Sequence, residues 1–260
     1  MKQDTFLHAR SYERRVNWKK RLAREWPFFQ KLFRDNGVKR VLDCACGTGR
    51  HAILFARNGY SVWGSDIDEG MIALSRENAL KAGVEVTFVR SAFSELSRTF
   101  EGESFDAIIC TGNSLGPLPD YHELHLSLKN MASIIAPGGI IILHILNYAR
   151  LMEKKVEQLP VRHTRTGEKD LFFLKTFRHA GKRIQVEFID IEGQGDNWTC
   201  RTHVGSLLPV LPSHLRKELE GINLTVEGEF GDYSFSPFNI HNSRDYIVVA
   251  KPRNPNHSTL

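Results

Sequence analysis

Val41-Leu42-Asp43-Cys44-Ala45-Cys46-Gly47-Thr48-Gly49 is the stretch whose reading decides the fold. A short apolar strand runs into two glycines one residue apart, and a helical segment follows that stops at Asn58-Gly59. Glycines between a first strand and a helix let the backbone approach a bound nucleotide closely. The third glycine of the full dinucleotide fingerprint is missing, so a plain tight turn competes with this reading. Asp66 adds weight, because it ends the second strand, where a carboxylate accepts hydrogen bonds from both ribose hydroxyls.

Upstream, Leu22, Trp26, Phe29 and Phe33 recur at helical spacing, which predicts an amphipathic helix broken and restarted at Pro27 and ended by Asn36-Gly37. Downstream, strands are expected at 60–65, 84–90 and Phe105–Cys110. Asp68 caps a helix over 69–81 that ends near Gly83. Asp120 caps another, with Leu124, Leu128, Met131 and Ile135 on one face. Pro137-Gly138-Gly139 then turns the chain into a fifth strand, 140–145. This alternation predicts a Rossmann-like α/β fold, a mostly parallel sheet with helices on both faces.

After Tyr148 the rhythm changes. Strands at 172–178, 182–192 and 198–207, joined by glycine turns, predict an antiparallel β lid inserted after the fifth strand. A helix near 213–220 and strands at Leu224–Phe230 and 246–251 resume the core. The expected organisation is a cofactor-binding core with N-terminal helices over 1–148, the lid over 149–210, the rest of the core over 211–252, and a frayed tail over 253–260.

With 260 residues, 41% of them apolar and 25% charged, the chain can bury a substantial core. It contains neither a signal-peptide pattern nor an apolar run near the roughly 20 residues that span a bilayer, so no membrane partner and a cytoplasmic location are expected. Cys44, Cys46, Cys110 and Cys200 are too few for a disulfide framework. Cys44 and Cys46 form a C-x-C pair, but no second ligand pair stands at zinc-site spacing, so no metal site is expected. The net charge of +5 admits nucleic acid as a partner. However, the basic residues are scattered among 30 acidic ones, and the cluster Arg14, Arg15, Lys19, Lys20, Arg21 and Arg24 reads first as a solvated helix face.

The segments DCACGTGR (43–50), SDIDEGM (65–71), FDAIICTGNSLGPLPD (105–120) and APGGIIILHILNY (136–148) resemble class I S-adenosylmethionine-dependent methyltransferases over roughly residues 38–150. The resemblance is most detailed to the glycine and sarcosine N-methyltransferase branch, which shares the GNS-x-x-x-LPD segment, here Gly112 to Asp120, and the pair Asn147-Tyr148. It implies S-adenosylmethionine as cofactor. Asp43, Gly47 and Gly49, with Cys44 and Ala45, would surround its methionine part and ribose, and Asp66 with Ile67 would hold the ribose edge. Met71, Ala92 and Phe93 would meet the adenine, Arg21 would pair with the carboxylate, and Thr111, Asn113 and Ser114 would lie at the sheet's carboxyl edge beside cofactor and acceptor.

Each assignment has a plainer competitor: core packing for Met71, a surface ion pair for Arg21, and a turn for Gly112-Asn113-Ser114. The resemblance departs at two places. Ser91-Ala92-Phe93 stands where many relatives carry a carboxylate for the adenine amino group, and Leu146 stands where the glycine enzymes carry an arginine for the substrate carboxylate.

Methyl transfer from an activated sulfonium needs positioning above all, plus removal of a proton from an amine acceptor. Asn113, His144, Tyr148 and Tyr12 are the candidates near that step, with a hydrogen-bonded structural role as the plainer reading of His144. The function expected is methylation of a small molecule, an amine or amino acid. An RNA or protein methyltransferase and a non-catalytic S-adenosylmethionine-binding protein remain as alternatives.

Overall fold

Asn17 separates two N-terminal helices, α1 (Lys2–Arg15) and α2 (Trp18–Asp35), by capping the second with its side-chain oxygen on the Lys20 N–H. The computed structural model describes residues 2–253. The break expected at Pro27 does not occur, because α2 runs straight through it. An interior proline costs about 3 kcal/mol. Packing offsets that cost: Phe28, Phe29 and Phe33 are fully buried, against Tyr233, Phe55 and Tyr60 among others.

The core then alternates: β1 (Arg40–Cys44), α3 (Arg50–Arg57), β2 (Ser61–Asp66), α4 (Glu69–Ala82), β3 (Thr87–Arg90), the short α5 (Leu96–Thr99), β4 (Phe105–Cys110), α6 (Tyr121–Ile134), β5 (Ile135–Leu146) and α7 (Tyr148–Glu153). Four further strands, β6 (Arg162–Thr166), β7 (Lys169–Ala180), β8 (Arg183–Gln194) and β9 (Asn197–Leu207), precede α8 (Pro212–Gly221), β10 (Leu224–Phe230) and β11 (Asp245–Pro252). Asp68 and Asp120 cap α4 and α6 as expected, and Gly83 closes α4 in a left-handed conformation.

The main sheet has seven strands in the order β10-β11-β5-β4-β1-β2-β3. β1 to β5 are parallel, and β11 runs antiparallel between β5 and β10. β1 pairs with β2 on one side and β4 on the other, so the strand order reverses there and the carboxyl ends open a crevice. Alternation sends Leu42, Cys44, Ile108 and Cys110 into one apolar layer and Val41, Ala107 and Ile109 into the other. Cys46 lies in the layer opposite Cys44.

Three expectations need correction. β3 begins at Thr87 rather than 84, since Val84 and Val86 pack against the core without joining the ladder. Ile135 belongs to β5, not to α6: it pairs with Phe105, and Pro137-Gly138-Gly139 is absorbed as an irregularity within the strand. β6 went unread because all five of its residues are exposed and polar, leaving no apolar alternation to detect. The expected frayed tail falls largely on residues 254–260, outside the described residues, while Pro252 is still strand.

β6 to β9 form an antiparallel meander. It rests on the core through Phe177, Ile184, Val186 and Leu207, which share the apolar layer of Leu42. Arg183 donates to the Leu118 and Pro119 carbonyls, and the Leu208 N–H to the Gly116 carbonyl. No helix among the described residues is long and apolar enough to cross a membrane.

Candidate active site

Beyond β1 the chain takes left-handed conformations at Ala45 (φ 67°), Gly47 (φ 54°) and Gly49 (φ 78°). At Gly49 a Cβ would stand 2.8 Å from Phe88 Cζ and 2.9 Å from Ser75 Cβ, so glycine is what lets the loop seat on β3 and α4. Asp66 laces this loop to β2: Oδ2 accepts the Gly47 N–H and Oδ1 the Asp68 N–H, each at 2.9 Å. α1 crosses above. Tyr12 packs over Gly47, and Glu13 accepts from Thr48 and Arg50.

A cavity of about 370 Å³ opens at the carboxyl ends of β1, β2 and β4, lined by Ala45, Asp66, Ile67, Ala92, Phe93 and Ser114, with Pro117-Leu118-Pro119 as the facing wall. A second recess of about 380 Å³ shares Ile67, Ser91 and Ala92 with it. Ile67 is 64% exposed, an apolar side chain held open at the mouth and suited to a planar base.

Asp43 is 1% exposed, and neither carboxylate oxygen has a hydrogen-bond partner. Burial, reinforced by the Asp66 charge, pushes its pKa up to about 7, against weaker pulls from the Ala52 amide and Arg21. Asp66 is raised for the same first reason, burial. An unpartnered buried carboxylate is costly and marks a place where a ligand cation would be stabilised.

Arg21 donates through Nε to Glu25 Oε1 at 3.0 Å, lies 5.1 Å over the Trp18 ring, and brings Nη2 to 3.9 Å from the point a Gly112 Cβ would occupy. Its terminal N–H groups therefore reach the end of β4. Glu25 is buried, and its other oxygen, Oε2, stands 2.7 Å from His51 Nε2. Burial opposes ionisation of Glu25, but the His51 and Arg21 contacts outweigh it and hold its pKa down at about 2. Glu25 and His51 were missed in the sequence. The signal was a carboxylate four residues after Arg21 on the helix's apolar side.

The other candidates divide. Ser114 lines the cavity and donates to the Thr111 carbonyl at 2.8 Å. Asn113 (φ 66°) is buried: its side chain exchanges hydrogen bonds with the Tyr148 hydroxyl at 2.9 and 3.0 Å and accepts the Leu146 N–H. Burial raises the Tyr148 pKa.

His144 Nδ1 accepts the Gly112 N–H at 3.2 Å and faces the Tyr233 hydroxyl at 3.1 Å. Its Nε2 is 3.2 Å from Asp245 Oδ1, off the line of a formed hydrogen bond. Asn113, His144 and Tyr148 thus brace the turn after β4 from behind and do not line the cavity. Met71 packs with Ala9, Leu74 and Tyr12 between α1 and α4, and Cys44 Sγ is directed to the Ile109 carbonyl inside the core.

Fold and site together define a Rossmann-like domain with a glycine loop and a cavity at the carboxyl ends of its parallel strands. Residues 41–139 match the model of the methyltransferase domain family. The chain is 34% identical over 139 residues to a glycine/sarcosine N-methyltransferase of Aphanothece halophytica, covering 54% of this chain and 52% of that one. It is 35% identical over 127 residues to a glycine N-methyltransferase of Mus musculus, covering 45% and 43%. It therefore spans about half the length of the curated relatives it matches.

Among solved structures, an S-adenosylmethionine-dependent methyltransferase from Clostridium acetobutylicum superimposes with a TM-score of 0.77 at 16% identity, over 92% of this chain and 93% of that one. An amino pentose methyltransferase from Micromonospora echinaspora superimposes with a TM-score of 0.74 at 19% identity, over 94% and 95%. Residues 41–139 thus match a methyltransferase domain, carried on the fold of the S-adenosylmethionine-dependent methyltransferases.

Proposed function

We propose that this chain transfers a methyl group from S-adenosylmethionine to nitrogen of a small molecule, an amine or amino acid. The observation that carries the reading is the cavity beside the glycine loop, with Asp66 in its wall and the unpartnered Asp43 carboxylate buried nearby. When bound, the cofactor supplies an activated methyl sulfonium, so the protein's task is positioning and exclusion of water.

The residues divide that task between them. Asp66, with lone pairs beyond the two used by Gly47 and Asp68, accepts from ribose hydroxyls. Ile67, Ala92 and Phe93 make an apolar slot for the base. Arg21 offers its terminal N–H groups to a carboxylate, and Asp43 offers negative charge to an ammonium. The meander and α1, joined by Arg15 and Asp190 at 2.7 Å, serve as the lid. Nitrogen as the acceptor atom is supported by the glycine and glycine/sarcosine N-methyltransferases among the relatives.

Calorimetric titration with S-adenosylmethionine, with Asp66→Ala as control, tests this. Micromolar binding that the variant loses is the expected result. Absence of binding to the intact protein overturns the reading.

A further inference from the structure

Lys175 on β7 pairs with Phe188 on β8. Strand alternation puts both on the face whose next rung, Phe177–Val186, is buried in the main core. One rung the other way, Asp190 accepts from Ser11 Oγ at 2.6 Å and from Arg15 at 2.7 Å, so that end is tied to α1, whose Tyr12 covers the glycine loop. The Lys175–Phe188 rung therefore lies between the rung packed on the core and the rung tied to α1, within electrostatic reach of Asp245, which pairs with Leu146 at the carboxyl end of β5.

The Lys175 ammonium sits 5.2 Å over the Phe177 ring and 5.1 Å over the Phe188 ring. Arg15 lies 5.5 Å over the same Phe188 ring, but Asp190 neutralises it. Among the described residues Lys175 forms no ion pair. Its electrostatic neighbours are Arg162, which adds positive charge, and Asp245, a negative charge whose Oδ1 also stands 3.2 Å from His144 Nε2. Burial first, then Arg162, lowers the Lys175 pKa to about 8. A half-buried cation held on two aromatic rings and forming no ion pair gains more from an incoming oxyanion than an exposed lysine does.

We propose that Lys175 binds an anionic oxygen group, a carboxylate or phosphate, on the methyl acceptor, so that the acceptor is an acidic small molecule. This rests on the methyltransferase reading above and names the acceptor class of the same site.

The test uses intact protein saturated with S-adenosylhomocysteine, titrated calorimetrically with acetate and, separately, with methyl phosphate. At least one anion should bind in the millimolar range, and which one identifies the acid. Lys175→Met should weaken that binding about tenfold or more, while Lys175→Arg should stay within about threefold. The S-adenosylhomocysteine affinity should be unchanged in both. If Lys175→Met fails to fold, the ¹³Cε resonance of Lys175 in the wild type decides instead: its titration midpoint must rise on saturation with the anion. Nucleoside binding with no anion uptake, equal uptake by Lys175→Met, or an unmoved midpoint overturns the proposal alone. Absence of nucleoside binding overturns it together with the methyltransferase reading.

Discussion

His51 Nε2 stands 2.7 Å from Glu25 Oε2, and both side chains are buried, so a residue just past the glycine loop fixes the carboxylate that holds Arg21. Glu25→Gln keeps the shape and removes the charge. We expect it to weaken S-adenosylmethionine binding by about tenfold, because Arg21 is no longer aimed, while 5′-methylthioadenosine, which lacks the amino-acid end, binds as before. Comparative titration of the two ligands checks this, and equal losses for both would point to general misfolding.

Asp43 carries a cost that depends on pH. Its pKa is raised to about 7 in the folded chain, so the folded state binds the proton that the unfolded state has already released. Stability therefore falls as pH rises from about 4, the ordinary carboxylate value, to about 7, and stays reduced above that. Asp43→Asn, neutral at every pH, should unfold at higher urea concentration than wild type at pH 8, by about 1–3 kcal/mol, with the difference shrinking toward pH 5. The same variant should bind S-adenosylmethionine more weakly. A gain in stability that is equal at both pH values would show that ionisation is not the cause.

Gly49 has no room for a side chain. With φ at 78° and Phe88 and Ser75 under 3 Å from the position of a Cβ, Gly49→Ala should cost about 2–4 kcal/mol and lower Tm by several degrees. Gly59, at φ 87° with open space around it, makes the comparison: alanine there should cost about 1 kcal/mol, from backbone strain alone.

Tyr148 is fully buried, with its hydroxyl on Asn113, which makes it a brace for the turn after β4. Tyr148→Phe should cost about 1–2 kcal/mol in stability by leaving Asn113 short of a partner. The pH profile of methyl transfer should keep its shape. A lost basic or acidic limb would instead make Tyr148 a proton carrier.

Legibility followed the range of the interactions. β1, β4, β10 and the caps of α4 and α6 were readable because they depend on neighbours in sequence, on apolar runs bounded by glycine, asparagine or aspartate. Pro27 misled because its local penalty is outweighed by three phenylalanines packing on distant partners, and β6 was hidden because it carries no buried residue at all.

At the site, the glycine loop, Asp66, Ile67, Ala92, Phe93 and Ser114 could be named from strand-end position and family pattern, and they come together around the cavity. By itself, then, the sequence determined the alternation of strand and helix and the glycine loop after β1, since both are written in residues a few positions apart. The tertiary structure alone decided that His144 and Tyr148 brace a turn, that Glu25 and His51 stand behind Arg21, and that Lys175 lies between the rung packed on the core and the rung tied to α1. These roles rest on contacts between residues from 26 to 35 positions apart in the first cases, and on the pairing of whole strands in the last. Burial and charge partners at such separations exist only once the chain has closed on itself.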